Sequence, residues 1–175
     1  AAGGGIRTVG EARACFRAGA DKVVINSAAV RSPQLVTDLS QEFGSQSVVV
    51  SVDVVRTNDG YRVVIESGTR DYEKPFFEVL SSLVEAGAGE MILTSVEREG
   101  TMKGFDIDLY KLCDSRVPFP LIASGGAGTY DDIVSLFRET SCDGCGIGKM
   151  LSLRDYDIVK IKAYLTGRKI PVRDA

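Results

Sequence analysis

The 175-residue sequence contains no histidine. The side chain that ordinarily titrates near neutral pH is missing, so proton transfer there falls to carboxylates, lysine, cysteine, tyrosine or water. A basic block is missing too. The 21 lysines and arginines and 24 aspartates and glutamates are spread along the chain for a net charge of −3, which argues against nucleic acid as a partner. No apolar run approaches the roughly 18 residues of a membrane span, and no signal peptide opens the sequence. No membrane partner is expected, and a cytoplasmic location is. The sequence begins not with Met but with Ala1-Ala2-Gly3, already inside a glycine motif. Cysteine is scarce: Cys15, Cys113, Cys142 and Cys145. Only Cys142 and Cys145 have a suggestive spacing. A redox or zinc role needs a helix N-terminus or two more ligands, and neither is visible. The pair therefore reads as small buried residues, and no metal or cofactor is expected.

What is present fits an ordinary globular domain, with 44% hydrophobic and 26% charged residues, enough for one core. Runs rich in β-branched residues at 22–27, 48–53, 91–96 and 121–124 read as buried parallel strands. Residues 144–148 form a weaker strand because of their glycines. Amphipathic segments lie between them. Residues 8–18 place Val9, Ala12, Cys15 and Phe16 on one face. Ser32 as N-cap and Pro33 in the first turn open a helix whose apolar face holds Leu35, Val36, Leu39 and Phe43. Residues 76–86 carry Phe76, Val79, Leu80, Leu83 and Val84, and helices at 131–138 and 155–165 continue the series. Strand and helix alternate throughout, which indicates an α/β fold with a parallel sheet. One insertion breaks the rhythm. Residues 56–60, ending in Asp59-Gly60, and the run 61–66 read as a hairpin placed after the Asp53 strand.

A repeat carries chemical meaning. Gly4-Gly5-Ile6-Arg7-Thr8 precedes a helix ending at Phe16-Arg17, then Asp21, then a strand. Farther along, Gly125-Gly126-Ala127-Gly128-Thr129 precedes a helix ending at Phe137-Arg138, then Asp143, then a strand. The period is too long for a solenoid and suits a barrel of two similar halves. A glycine-rich turn leading into a helix exposes backbone N–H groups and admits a phosphate closely. The strand after each turn ends in polar groups, Asn26-Ser27 in one half and Gly148-Lys149 in the other. Two such places at one barrel mouth suit a ligand with a phosphate at each end.

Taken in order, these stretches resemble the cyclase subunit of imidazole glycerol phosphate synthase, the histidine-pathway enzyme that closes the imidazole ring. The resemblance rests on Gly3-Gly4-Gly5-Ile6, the stretches 19–23, 26–30, 43–46 and 48–53, and the stretches 87–90 and 93–95. It continues through Gly100-Thr101, 122–128 and 170–173. It implies a (β/α)8 TIM barrel, a single partial domain over 1–175 that runs from the end of barrel strand 3 through helix 8. A whole barrel has about 250 residues, so roughly a third would lie outside this sequence. The family uses two aspartates, on barrel strands 1 and 5, as general acid and base. Asp53 matches the second, and the first has no counterpart in this sequence. The 175 residues alone are therefore expected to be inactive or impaired. By the same resemblance Gly5, Asn26 and Ser27 hold one phosphate, while Gly100, Gly126, Gly148 and Lys149 hold the other. Gly125 belongs to the latter turn, and Thr94 and Ser124 match substrate contacts. The family's partner is a glutaminase that docks on the opposite barrel face and supplies ammonia. Asp21, Lys22 and Glu90 match residues at that interface and its ammonia gate.

Several positions depart from the family pattern. Glu97 and Glu99 stand where aspartates are usual, Val54-Val55 replaces Ala-Lys, and Lys149 replaces a small hydroxyl residue. These departures keep open a paralogue that amidates or amidinates surface sugars. The isomerase one step earlier in the pathway shares the two-phosphate plan but matches fewer stretches. A reading of another class is a non-catalytic phosphate-binding or assembly module, which open barrel edges would allow to self-associate.

Overall fold

The computed structural model describes residues 1–153 and 157–173, apart from the Leu153 side chain. Six strands lie side by side in chain order: β1 (Ala2–Gly3), β2 (Val23–Ile25), β3 (Val48–Thr57), β6 (Glu90–Ser95), β7 (Leu121–Ser124) and β8 (Gly144–Gly146). All five pairings along this path are parallel. Helices fill the crossovers: α1 (Val9–Arg17), α2 (Ser27–Arg31), α3 (Pro33–Phe43), α4 (Phe76–Glu85), α5 (Ile107–Cys113) and α6 (Tyr130–Glu139), with α7 (Lys149–Leu153) and α8 (Ile158–Gly167) after the last strand. The order never reverses, unlike that of a doubly wound sheet. Such a sheet curls with its helices on the outside, and six consecutive strands of a (β/α)8 barrel account for it.

Burial along β3 shows which face is which. Val48, Val50, Val52 and Val54 are fully buried, because the helices cover them. Ser51, Asp53 and Val55 alternate with them and remain partly exposed on the concave side. The helix faces expected from periodicity form the outer core: Ala12, then Leu35, Val36 and Leu39, then Phe76, Val79, Leu80 and Leu83. The glycine repeat has a structural counterpart as well. Thr8 caps α1 and Thr129 caps α6, each in a reciprocal capping box, with Glu11 and Asp132 respectively.

The structure corrects three local expectations. Asp53 does not end its strand, because β3 continues to Thr57. β2 stops with Ile25 opposite Val50, and β4 (Gly60–Ile65) then takes the freed edge, pairing antiparallel from Asp53 to Thr57. A further strand, β5 (Arg70–Pro75), pairs with β4. Its sequence is polar and its residues are mostly exposed, so no apolar alternation marks it, and the charges blunt an open edge. Ser32 makes no side-chain cap. It closes α2 instead, its N–H donating to the Ala28 carbonyl. The last helix begins at Ile158 under an Asp157 cap. The earlier start expected at Asp155 lies outside the described residues.

The hairpin is tied to the β6–α5 loop by one cluster. Arg56 donates to the buried Asp106 carboxylate at 2.5 Å and to Asp108 at 3.0 Å, and the Tyr61 hydroxyl donates to Asp106 at 3.0 Å. Arg56→Ala should leave Asp106 buried without its cation. We expect a loss of about 2 kcal/mol in chemical denaturation, below the range for fully buried pairs because the Arg56 side chain is 44% exposed.

Candidate active site at the carboxyl ends of the strands

The parallel register sets Asp53 beside Thr94, Thr94 beside Ser124 and Ser124 beside Gly146. These residues share one row across the concave face near the carboxyl ends of β3, β6, β7 and β8. Asn26, just past the end of β2, reaches into the row. Its Nδ2 donates to Asp53 Oδ2 at 2.9 Å and to Ser51 Oγ at 3.3 Å. Burial raises the Asp53 carboxyl above its ordinary value, and hydrogen bonds from Asn26 and Thr94 offset part of that rise. The Asn26 Oδ1 is buried and, among the described residues, is the one such side-chain atom without a hydrogen-bond partner. An unpaired acceptor beside a carboxylate of raised pKa is the arrangement expected of a site that completes its bonding with a ligand.

A pocket of about 250 Å³ opens at the same rim, lined by Glu99, Gly100, Ser124, Gly125, Gly126, Ala127, Gly146, Ile147, Gly148 and Lys149. It gathers from three separate loops the residues expected around the second phosphate. Lys149 spans it, its Nζ donating to the Gly100 carbonyl at 2.8 Å. Glu99, Ala127, Gly146 and Ile147 were not assigned from the sequence. Gly146 and Ile147 follow from strand register, which no spacing reveals.

The first expected phosphate set is arranged differently. Gly5 follows β1 and Asn26-Ser27 follows β2, so they stand at neighbouring strand ends. The Asn26 amide, however, is turned to Asp53, and the Ser27 hydroxyl accepts the Glu66 N–H at 3.0 Å from the β4–β5 turn. At the opposite, amino ends of the strands, Lys22 and Glu90 form an ion pair next to the exposed Asp21. The cysteines are free. Burial pushes the Cys142 thiol up to about 11 and the Cys145 thiol up to about 12, the opposite of an activated nucleophile. A larger groove of about 640 Å³, lined by residues such as Ile133, Phe137, Ile161 and Leu165, holds none of the rim residues. Size alone would point to that groove; the convergent polar groups are at the rim.

Known proteins carry the same pattern. A family model described as "Histidine biosynthesis protein" matches residues 1–157. The chain is 38% identical over 171 residues to the imidazole glycerol phosphate synthase subunit HisF of Natranaerobius thermophilus, covering 98% of this chain and 68% of that one. The chain belongs to the HisF family. With the HisF proteins of Chlorobium limicola and Chlorobaculum tepidum it shares 40% identity over the same extent. HisF relatives are thus matched along essentially all of this chain, from the first glycine turn past α8. No helix among the described residues is long and apolar enough to cross a membrane.

Proposed function

We propose that this chain is a cyclase of histidine biosynthesis. It takes ammonia from a glutaminase partner and converts a phosphoribulosyl bisphosphate intermediate to imidazole glycerol phosphate and a carboxamide ribotide. The observation that carries the reading is the meeting at one rim of Asp53, half-buried with a raised pKa, and the glycine pocket around Gly126 and Lys149. A carboxyl of raised pKa exchanges protons nearer to neutral pH, which acid–base steps in a histidine-free chain require. Lys149 and the loop backbone suit a terminal phosphate, and the free Asn26 Oδ1 suits an N–H or O–H of the ligand. The Lys22–Glu90 pair lies at the far ends of the strands, on the face where the glutaminase would dock and ammonia would enter.

Turnover of the bisphosphate with ammonia tests this, in a version that includes the barrel's first strand and its aspartate. No turnover there would remove the assignment. Binding can be tested on the 175 residues themselves. Lys149→Ala should weaken inorganic phosphate about tenfold, the scale of a charge-assisted bond at an exposed site. It should also flatten the salt dependence, as titration calorimetry at two ionic strengths would show. Lys149 also favours a second reading, a cyclase-like chain in surface-sugar amidation. Tight phosphate binding without turnover of the histidine intermediate would support it.

A further inference from the structure

Helix α5 carries no residue assigned from the sequence, yet its Tyr110 reaches the row described above. The side chain is fully buried, and its ring meets Phe105 edge-on with centroids 6.4 Å apart. The hydroxyl lies where β6 and β7 make their last pairing, Thr94 with Ser124. It donates to the Ser124 carbonyl at 2.8 Å, with the Leu93 carbonyl also within reach at 3.2 Å. It accepts the Ser124 N–H at 3.1 Å. One oxygen thus meets both backbone groups of Ser124 and the carbonyl that precedes Thr94. Burial holds the phenol protonated far above its ordinary range, so it remains a donor at any working pH.

We propose that Tyr110 is a positioning residue that sets Ser124, and through it the entry to the Gly125-Gly126 turn, for phosphate binding. Ser124 lines the 250 Å³ pocket, and the turn begins at the next residue. That turn has little slack. A Cβ on Gly125 would lie 2.6 Å from the Ser95 carbonyl oxygen, at the end of the strand that the phenol also touches. A helix side chain that fills the polar end of a strand pair does more than pack. Without the oxygen, the Ser124 N–H and carbonyl each lose a partner, and the part-buried strand end is held by its ladder pairings with β6 and β8 alone. The inference rests on reading the rim as a phosphate site.

Tyr110→Phe tests it, because the ring and its contact with Phe105 remain and only the oxygen goes. Leu39→Val serves as the comparison, since it destabilises the outer core far from the rim. Two measurements are made on the 175-residue chain: amide hydrogen exchange by NMR, and titration with inorganic phosphate. In the Phe variant, Ser124 and Gly125 amides should exchange at least about tenfold faster relative to the other β7 amides, and phosphate affinity should fall about tenfold. In the Val variant, exchange should rise without singling out Ser124, and phosphate affinity should hold. Unchanged relative exchange at Ser124 overturns the positioning role. Altered exchange with unchanged affinity overturns its link to phosphate. If the parent chain binds no phosphate, the reading of the rim fails, and Ser124 exchange still decides whether Tyr110 positions that residue.

Discussion

Asp53→Asn should cut ammonia-dependent turnover by roughly 10²–10⁴-fold while leaving affinity for the bisphosphate within about threefold. The substitution keeps the shape and still offers an oxygen to the Asn26 amide, which donates to Asp53 at 2.9 Å. It removes only the ability to gain and lose a proton. Steady-state kinetics with ammonia, in the version with the first strand, separates the two effects. A variant that kept full rate would strip Asp53 of its role. The acid limb of the pH–rate profile should disappear with the carboxylate.

Stability should move the other way. Burial raises the Asp53 pKa in the folded chain above its ordinary value of 3.8. Within the window from 3.8 up to that raised value the folded state therefore holds more proton than the unfolded state. Stability falls as pH rises through the window and stays lower at neutral pH. Asn has no charge to bury. Asp53→Asn should thus raise the thermal midpoint at pH 7, with a smaller gain below pH 4. A neutral-pH midpoint below the parent's would contradict the burial of an ionised carboxylate. Loss of rate with gain of stability is the signature of a group kept for chemistry rather than for the fold.

Gly126→Ala should destabilise the chain by about 3 kcal/mol or more and abolish phosphate binding at the rim. Two effects add. The backbone sits at φ +110°, where a side chain is strained, and a Cβ would lie 2.1 Å from the Gly104 carbonyl oxygen. The neighbour cannot retreat easily, because the Gly104 N–H donates to the Gly126 carbonyl at 2.9 Å. The β6–α5 loop and the glycine turn are locked face to face, and a methyl group must separate them. For a chain of this length the melting temperature should drop by about 6–12 °C. Gly5→Ala is the contrast. Its φ of +76° also disfavours a side chain, but a Cβ there meets nothing within 4 Å. It should cost only about 1 kcal/mol. Equal losses at the two sites would show that backbone conformation, not loop contact, demands the glycine at 126.

The two glycine turns of the repeat therefore do different work, although their sequences look alike. The first leaves open space around Gly4 and Gly5, while the second is pressed against the loop from β6. Their common feature, a Thr cap with an acidic partner three residues on, is local and follows from neighbouring residues alone. Contact with the 96–106 loop is not local, and no pattern in the turn announces it.

Periodicity and β-branched runs, by themselves, determined the alternating strands and helices, the buried helix faces and the parallel sheet. Each depends on residues a few positions apart meeting one environment, the core. The ordered motifs determined the family and singled out Asp53, Asn26, Thr94 and Lys149. Tertiary structure alone decided the row Asp53–Thr94–Ser124–Gly146, since strand register depends on how separate elements dock. It also decided that β3 runs on past Asp53, because the edge left free where β2 stops is filled by β4. Tyr110 shows the division most plainly. In the sequence it is one aromatic residue in a short helix; only the packing of α5 against β6 and β7 brings its hydroxyl to the Ser124 backbone. Patterns along a chain record which residues seek the core, whereas the partner a buried polar atom finds is settled by the assembled fold.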